Sequence, residues 1–190
     1  MIYEELIKII PSSATAIGLI IGLVQYRRAQ VWKRMEFAAS LVRRVASDNE
    51  LTLAITFLDW RHRHFAVPDK YKPVATGHLQ FCHSHETMAR VFSMSSREKL
   101  PETGMLDLKQ EEITLESMIY IDVFDRFFEY LEEVNSFIEM GLVNKTDVKL
   151  LSYWANRIVN LKYMQTHIFV EYLKYYKLNG VLVLSHVANC

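Results

Sequence analysis

The chain predicts an all-α fold: an N-terminal transmembrane helix continuing into a stalk, then a cytoplasmic helical bundle containing a long antiparallel helical hairpin. Three observations carry that prediction. Residues 9–24, IIPSSATAIGLIIGLV, form an uncharged, mostly apolar run followed at once by Tyr26, Arg27, Arg28, Lys33 and Arg34. Residues 111–140 place apolar side chains at alternating four- and three-residue steps, the period of a packed helix. Hydrophobic residues make up 51% of the chain, enough for one sizeable core behind the N-terminal segment.

The first element is the anchor. A spanning helix needs roughly 20 apolar residues. Extending the run from Leu6 to Tyr26 reaches that length and includes Lys8, which can snorkel from near a helix end. Tyr3, Tyr26 and Trp32 are placed as interfacial aromatics, and Pro11 is tolerated in a first turn. Glu4 and Glu5 precede the run and the arginines follow it. Positive charge stays on the cytoplasmic side, so the N-terminus is expected outside and the body in the cytoplasm. The same asymmetry opposes a cleaved signal peptide, which carries its positive charge before the apolar core. Residues 1–29 are therefore read as anchor and 30–190 as a cytoplasmic helical domain. Ala14, Gly18 and Gly22 recur at four-residue steps, a small-residue face that favours homo-oligomers in lipid.

The next elements follow in order. Residues 30–46 form an amphipathic stalk, with Phe37, Leu41 and Val45 on one face. Ser47, Asp48 and Asn49 supply caps for a helix over 50–62 that turns Leu51, Ala54, Ile55 and Leu58 inward. Pro68 and Pro73 make 65–77 a loop, 78–94 is expected to be helical, and 95–110 forms a polar connection. Helix 111–140 buries Tyr120, Phe124, Phe127, Leu131, Val134 and Ile138, and Gly141 ends it. Asn144 and Asp147 resemble a capping pair that restarts the chain. A helix over 145–177 then turns Val148, Leu151, Ala155, Ile158 and Leu161 inward and completes the hairpin. The tail, Gly180–Leu184, is expected to be a short strand or a docked helical turn.

Charge bounds the function classes. The formal net charge is zero, so no global basic field exists to hold duplex nucleic acid. Charge is nevertheless segregated: residues 27–99 and 148–190 are net basic, and 100–147 are strongly acidic. The acidic block either pairs with the basic segments or faces away from the membrane. Two distant cysteines, Cys82 and Cys190, exclude a disulfide framework and suit a reducing compartment.

Few clusters carry chemistry. His78, Cys82, His83 and His85 are metal-ligating types, and His78 and Cys82 share a face if the segment is helical. No CxxC or HExxH accompanies them, so the reading is a buried cysteine with surface histidines and no metal. Asp59 to His64 packs an acid, an indole, two arginines and two histidines together. Arg61 and Arg63 suit phosphate, Trp60 suits a base, and Arg43 and Arg44 on the stalk complete the candidate ligand-binding set. Asp59 itself is expected to pair with an arginine. Asp122, Asp125 and Glu129 lie at helical spacing without a nucleophile beside them, so no catalytic residue is assigned.

The stretches SSATAIGLIIGLVQYRRAQ, WKRMEFAASLV, LAITFLDWRHR, FDRFFEYLEEV and LLSYWANRI resemble a broad group of small bacterial membrane-anchored proteins of unknown function. In that group one span leads to a cytoplasmic helical domain with a Leu-Asp-Trp element and a later Tyr-Trp element. The layout is also similar to small membrane effectors of antiphage defence, including those of type III CRISPR systems, which join a span to a domain that senses a cyclic oligonucleotide. That second resemblance implies a non-enzymatic, oligomeric membrane sensor or effector that binds a cyclic nucleotide, without a cofactor. A membrane-tethered scaffold docking a protein through the acidic 111–139 face is the alternative.

Overall fold

Polar side chains cap two helices of this chain at their starts, Asp48 before residue 49 and Ser84 before residue 85. The computed structural model describes residues 2–75, 80–93, 115–160 and 167–187, and for 2–14, 16, 74, 167 and 187 it describes the backbone only. Among the described residues there are seven α-helices: α1 (Ile2–Ser47), α2 (Asn49–Asp59), α3 (His85–Phe92), α4 (Leu115–Glu139), α5 (Lys149–Val159), α6 (His167–Tyr175) and α7 (Asn179–Val187). Two strands, β1 (His62–Ala66) and β2 (Gln80–Ser84), and a 3-10 segment, Asp69–Val74, lie between α2 and α3. The mostly helical expectation holds, with a small antiparallel sheet added.

The chain divides into two units, Met1–Ser40 and Leu41–Cys190. The boundary falls inside the expected stalk, 30–46, and later than the expected anchor boundary at residue 29. In the first unit, Ile17, Leu19, Ile20, Ile21, Leu23 and Val24 are all exposed on α1. Among the described residues no helix is long and apolar enough to cross a membrane. The segment expected to span, Leu6–Tyr26, begins among side chains outside the described residues, as does Ala14 of the small-residue face. Gly18 and Gly22 stand open, with nothing within 4 Å of where a Cβ would lie.

The second unit is built around α4. Its seam residues Tyr120, Phe124, Phe127, Leu131 and Val134 are buried as the four-three spacing demands, and Ile138 is half-buried. Gly141, at φ 72°, ends this helix: its N–H reaches Ile138 O at 3.0 Å and Leu142 N–H reaches Phe137 O at 3.0 Å. That pattern is a Schellman cap. Asp48 caps α2 by accepting from Glu50 N–H at 2.9 Å and Leu51 N–H at 3.2 Å. Asp147 accepts from Asn144 N–H at 3.0 Å before α5 begins.

Three expectations fail here. Residues 80–84 form a strand, not part of a helix over 78–94, and pair with β1 in the register His62↔Ser84, Arg63↔His83, His64↔Cys82, Phe65↔Phe81 and Ala66↔Gln80. The buried Phe81 and His83 alternate with exposed Gln80 and Cys82, which is strand periodicity. The expected 145–177 arm ends at Val159, where Asn160 adopts φ −116° and its N–H returns to Asn156 O. The long two-helix hairpin is therefore replaced: α5 packs chiefly on α7, and α7 packs on α4. The tail is a full helix, not a strand or single turn.

Gly180 permits that last contact. A Cβ there would stand 2.6 Å from the Glu132 carboxylate and 2.9 Å from Asn135 Cβ. The close approach lets Glu132 accept from Val181 N–H at 3.0 Å at the start of α7, where unsatisfied N–H groups favour an anion.

Candidate functional site

The C-terminal end of α2 leaves carbonyls that no following turn can satisfy. Side chains from β2, α3 and α5 supply the donors. Nε2 of His83 lies 3.0 Å from Phe57 O and 2.7 Å from Trp60 O. Nε2 of His85 lies 2.8 Å from Phe57 O. Arg157 Nε donates to Leu58 O at 3.1 Å and sits 3.4 Å from Asp59 Oδ1, the arginine partner that Asp59 was expected to find.

These contacts fix the His83 tautomer. Two carbonyls face Nε2, so that nitrogen carries the proton. Nδ1 then accepts from the Tyr120 hydroxyl at 2.9 Å, and the Tyr120 oxygen accepts from Ser84 N–H at 3.2 Å. Phe57 stacks on the imidazole, with ring centroids 4.8 Å apart and planes 14° apart. Burial pushes His83 down to about 4, outweighing its carbonyl partners, and lowers His85 in the same direction. Burial also raises the Tyr120 hydroxyl. Nδ1 of His85 has no hydrogen-bond partner among the described residues.

The outer surface of the same region is cationic and aromatic. Trp60, Arg61, His62, Arg63 and His64 are exposed. Arg63 stacks its guanidinium 4.6 Å from the Trp60 ring centroid and 5.6 Å from that of Phe65. Arg61 holds Glu86 with Nε at 3.2 Å and Nη2 at 2.7 Å, and His62 Nε2 lies 3.5 Å from the same carboxylate. The Arg61 hydrogen bond holds the Glu86 carboxyl down at about 2. Both partners are about half exposed, so the pair is worth no more than about 1 kcal/mol and an incoming anion can displace it.

The structure thus brings Trp60 and Arg63 into contact, with Arg61 beside them in the chain. It places the other two candidates differently. Arg44 is held by Glu133 on α4 at 2.9 and 3.0 Å and lies 5.3 Å from the Tyr130 ring centroid, while Arg43 is exposed on α1.

The metal-type cluster is taken apart. His83 faces the core and Cys82 faces outward opposite His64, so the two cannot share a ligand sphere. The expected buried cysteine with surface histidines is reversed: Cys82 is exposed, and His83 and His85 are buried. His78 lies outside the described residues. Among the described residues, no three His, Cys, Asp or Glu side chains gather as a metal centre would require.

The carboxylates of α4 are largely engaged within the fold. Asp122 accepts from Tyr71 Oη at 2.8 Å and pairs with Lys70 at 3.0 Å. Asp125 accepts from the Tyr172 hydroxyl, and Glu129 lies 3.9 Å from Arg126.

Sequence reasoning missed His83, His85 and Tyr120 as one network. The available signal was the alternation Phe81, His83, His85 on one side of a short strand and its continuation, which reads as inward-facing only once the strand is recognised. No protein-family model, no curated protein and no solved structure matches the chain.

Proposed function

We propose that this chain is a non-enzymatic, membrane-attached sensor or effector of bacterial defence, with its N-terminus outside and its helical domain in the cytoplasm. One observation carries the reading. Ile17, Leu19, Ile20, Ile21, Leu23 and Val24 are exposed over roughly 200° of the circumference of α1, Gly18 and Gly22 lie on the remaining side, and Arg27 and Arg28 follow within the next turn. Exposed apolar surface this broad is stable only when something apolar covers it. Lipid fits that need, and the arginines then mark the cytoplasmic boundary. Ala14, Gly18 and Gly22 provide the face through which the anchors associate.

The ligand is an anionic nucleotide, with a cyclic one fitting the resemblance to defence effectors. The Trp60–Arg63 stack offers a base a flat aromatic edge and a phosphate a guanidinium, and Arg61 can exchange Glu86 for phosphate. Arg43 and Arg44 belong to this site only if Arg44 leaves Glu133. Binding acts on the anchor if it favours one oligomeric arrangement over another.

The test has two arms. Membranes from expressing cells are washed at alkaline pH; retention in the pellet supports attachment, and release into the supernatant overturns it. The detergent-purified protein is then screened by thermal shift against cyclic nucleotides. Stabilisation in the wild type that is absent from Arg61→Ala/Arg63→Ala supports the site; equal stabilisation in both removes it.

A further inference from the structure

A second cationic surface lies on α1, outside the hairpin. Arg27, Arg28, Val31, Trp32 and Met35 line a shallow hollow of about 280 Å³. On a helix with 3.6 residues per turn these side chains share one side, and Val24 continues it toward the apolar run. Trp32 is 71% exposed, and neighbouring Tyr26 is 65% exposed. Neither the Arg27 nor the Arg28 side chain has a hydrogen bond or ion pair among the described residues. The indole of Trp32, the thioether of Met35 and the Val31 side chain leave apolar area bare in water on one stripe, beside two adjacent guanidiniums that water solvates well.

We propose that the α1 face formed by Arg27, Arg28, Val31, Trp32 and Met35 docks on the phosphate headgroups of anionic phospholipids. The argument is one of charge and depth. Guanidinium groups bind phosphate oxygens through paired N–H donors. An indole settles at the headgroup level, with its ring among the acyl chains and its N–H toward the wet side. Val31 and Met35 supply apolar area between the cations, as in helices that lie against anionic membranes. A second copy of this chain is the less suitable occupant. In a parallel pair meeting on this stripe, each Arg28 would face its counterpart, which is repulsive. Gly18 and Gly22 lie on the order of 140° around the helix from Val31 and Met35, so helix association and headgroup binding use different sides.

This inference rests on the membrane reading above, and the experiment separates the two. The full chain carrying Trp60→Phe and Trp154→Phe, which leaves Trp32 as its single indole, is reconstituted into phosphatidylcholine vesicles. Energy transfer from Trp32 to trace dansyl-labelled phosphatidylglycerol is compared with transfer to dansyl-labelled phosphatidylcholine. Each arginine near an anionic surface contributes a roughly fivefold preference. The expected result is an enrichment of phosphatidylglycerol of about fivefold or more, lost in Arg27→Gln/Arg28→Gln. Both arginine side chains are exposed and without partners among the described residues, so that variant keeps its fold; if the two tryptophan changes unfold the chain, the same comparison is made by lipid co-purification with wild type and Arg27→Gln/Arg28→Gln. Equal transfer to the two lipids in the parent overturns this proposal and leaves the anchor standing. An enrichment that survives Arg27→Gln/Arg28→Gln overturns the assignment to these arginines. A Trp32 blue shift that follows protein-to-lipid ratio instead of lipid charge means a second copy covers the face, which also overturns it. Failure to associate with any vesicle overturns the membrane reading itself.

Discussion

The ring of His83 fits its surroundings only when neutral. Protonation would turn Nδ1 into a donor and leave the Tyr120 hydroxyl proton without its acceptor. The folded value, about 4, lies below the ordinary 6.5, so the unfolded chain takes up the proton more readily. Stability from this site is therefore complete above about pH 6.5 and is lost as pH falls toward and through 4. His85 acts in the same sense. Glu86 on α3 favours a charge on His85, while Arg157 on α5 and His62 on β1 oppose it. Thermal unfolding followed from pH 7 down to 4 should show the midpoint falling across this interval. Tyr120→Phe removes one donor and one acceptor, leaving His83 Nδ1 and Ser84 N–H unpaired, and should cost about 1–3 kcal/mol by urea unfolding. An unchanged midpoint would mean that the network contributes nothing.

Among the elements, α4 is the one a reader of the sequence sees at once. Its 25 residues repeat the four-three pattern long enough to exclude a strand. The hairpin is illegible for the opposite reason. HRHFA and QFCHS are five residues each, too short for a period to declare itself. Basic and polar residues also fill the face that a solvent-exposed strand turns outward. The second helical arm hid its end at Asn160, because the apolar spacing runs on through Leu161 and no Gly or Pro marks the stop. Helix α6 ends in the same capping geometry as α4, but with Lys177 at φ 58° where Gly141 serves the earlier helix, so the glycine rule for helix ends could not find it. Gly180 gives the sharper prediction at this scale. Gly180→Ala pushes a methyl into Glu132 and Asn135, and the helix junction between α4 and α7 must open. A loss of about 1–3 kcal/mol is expected, with α7 amides exchanging faster than those of α4; uniform exchange would show that the junction is not held there.

Across the molecule, among the described residues, part of the charge segregation read from the sequence is met by pairing. The acidic α4 receives Arg44 from α1 through Glu133 and Lys70 from the 3-10 segment through Asp122, and Arg126 of α4 lies 3.6 Å from Asp48 at the start of α2. The core of the Leu41–Cys190 unit is aromatic. Phe57, Phe81, His83 and Tyr120 form one ring cluster, Phe92, Phe128, Phe169 and Tyr172 form another, and Phe124 touches both. None of these contacts uses residues 1–40. A chain begun at Leu41 should therefore keep the pH-dependent unfolding of the parent while no longer sedimenting with membranes. Loss of cooperative unfolding in that shorter chain would show that the N-terminal unit is part of the folding unit.

Phe57 O and Trp60 O share the single proton on His83 Nε2, beneath a stacked phenyl ring. That proton can be traded for deuterium only when β2 lifts from α2. In a nitrogen-15 spectrum it becomes a clock for one layer of the molecule: its exchange rate reads how often the hairpin opens, apart from whether the rest of the helices have come undone. A ligand settling on the outer face of the hairpin would slow that clock without touching the ring it reports from.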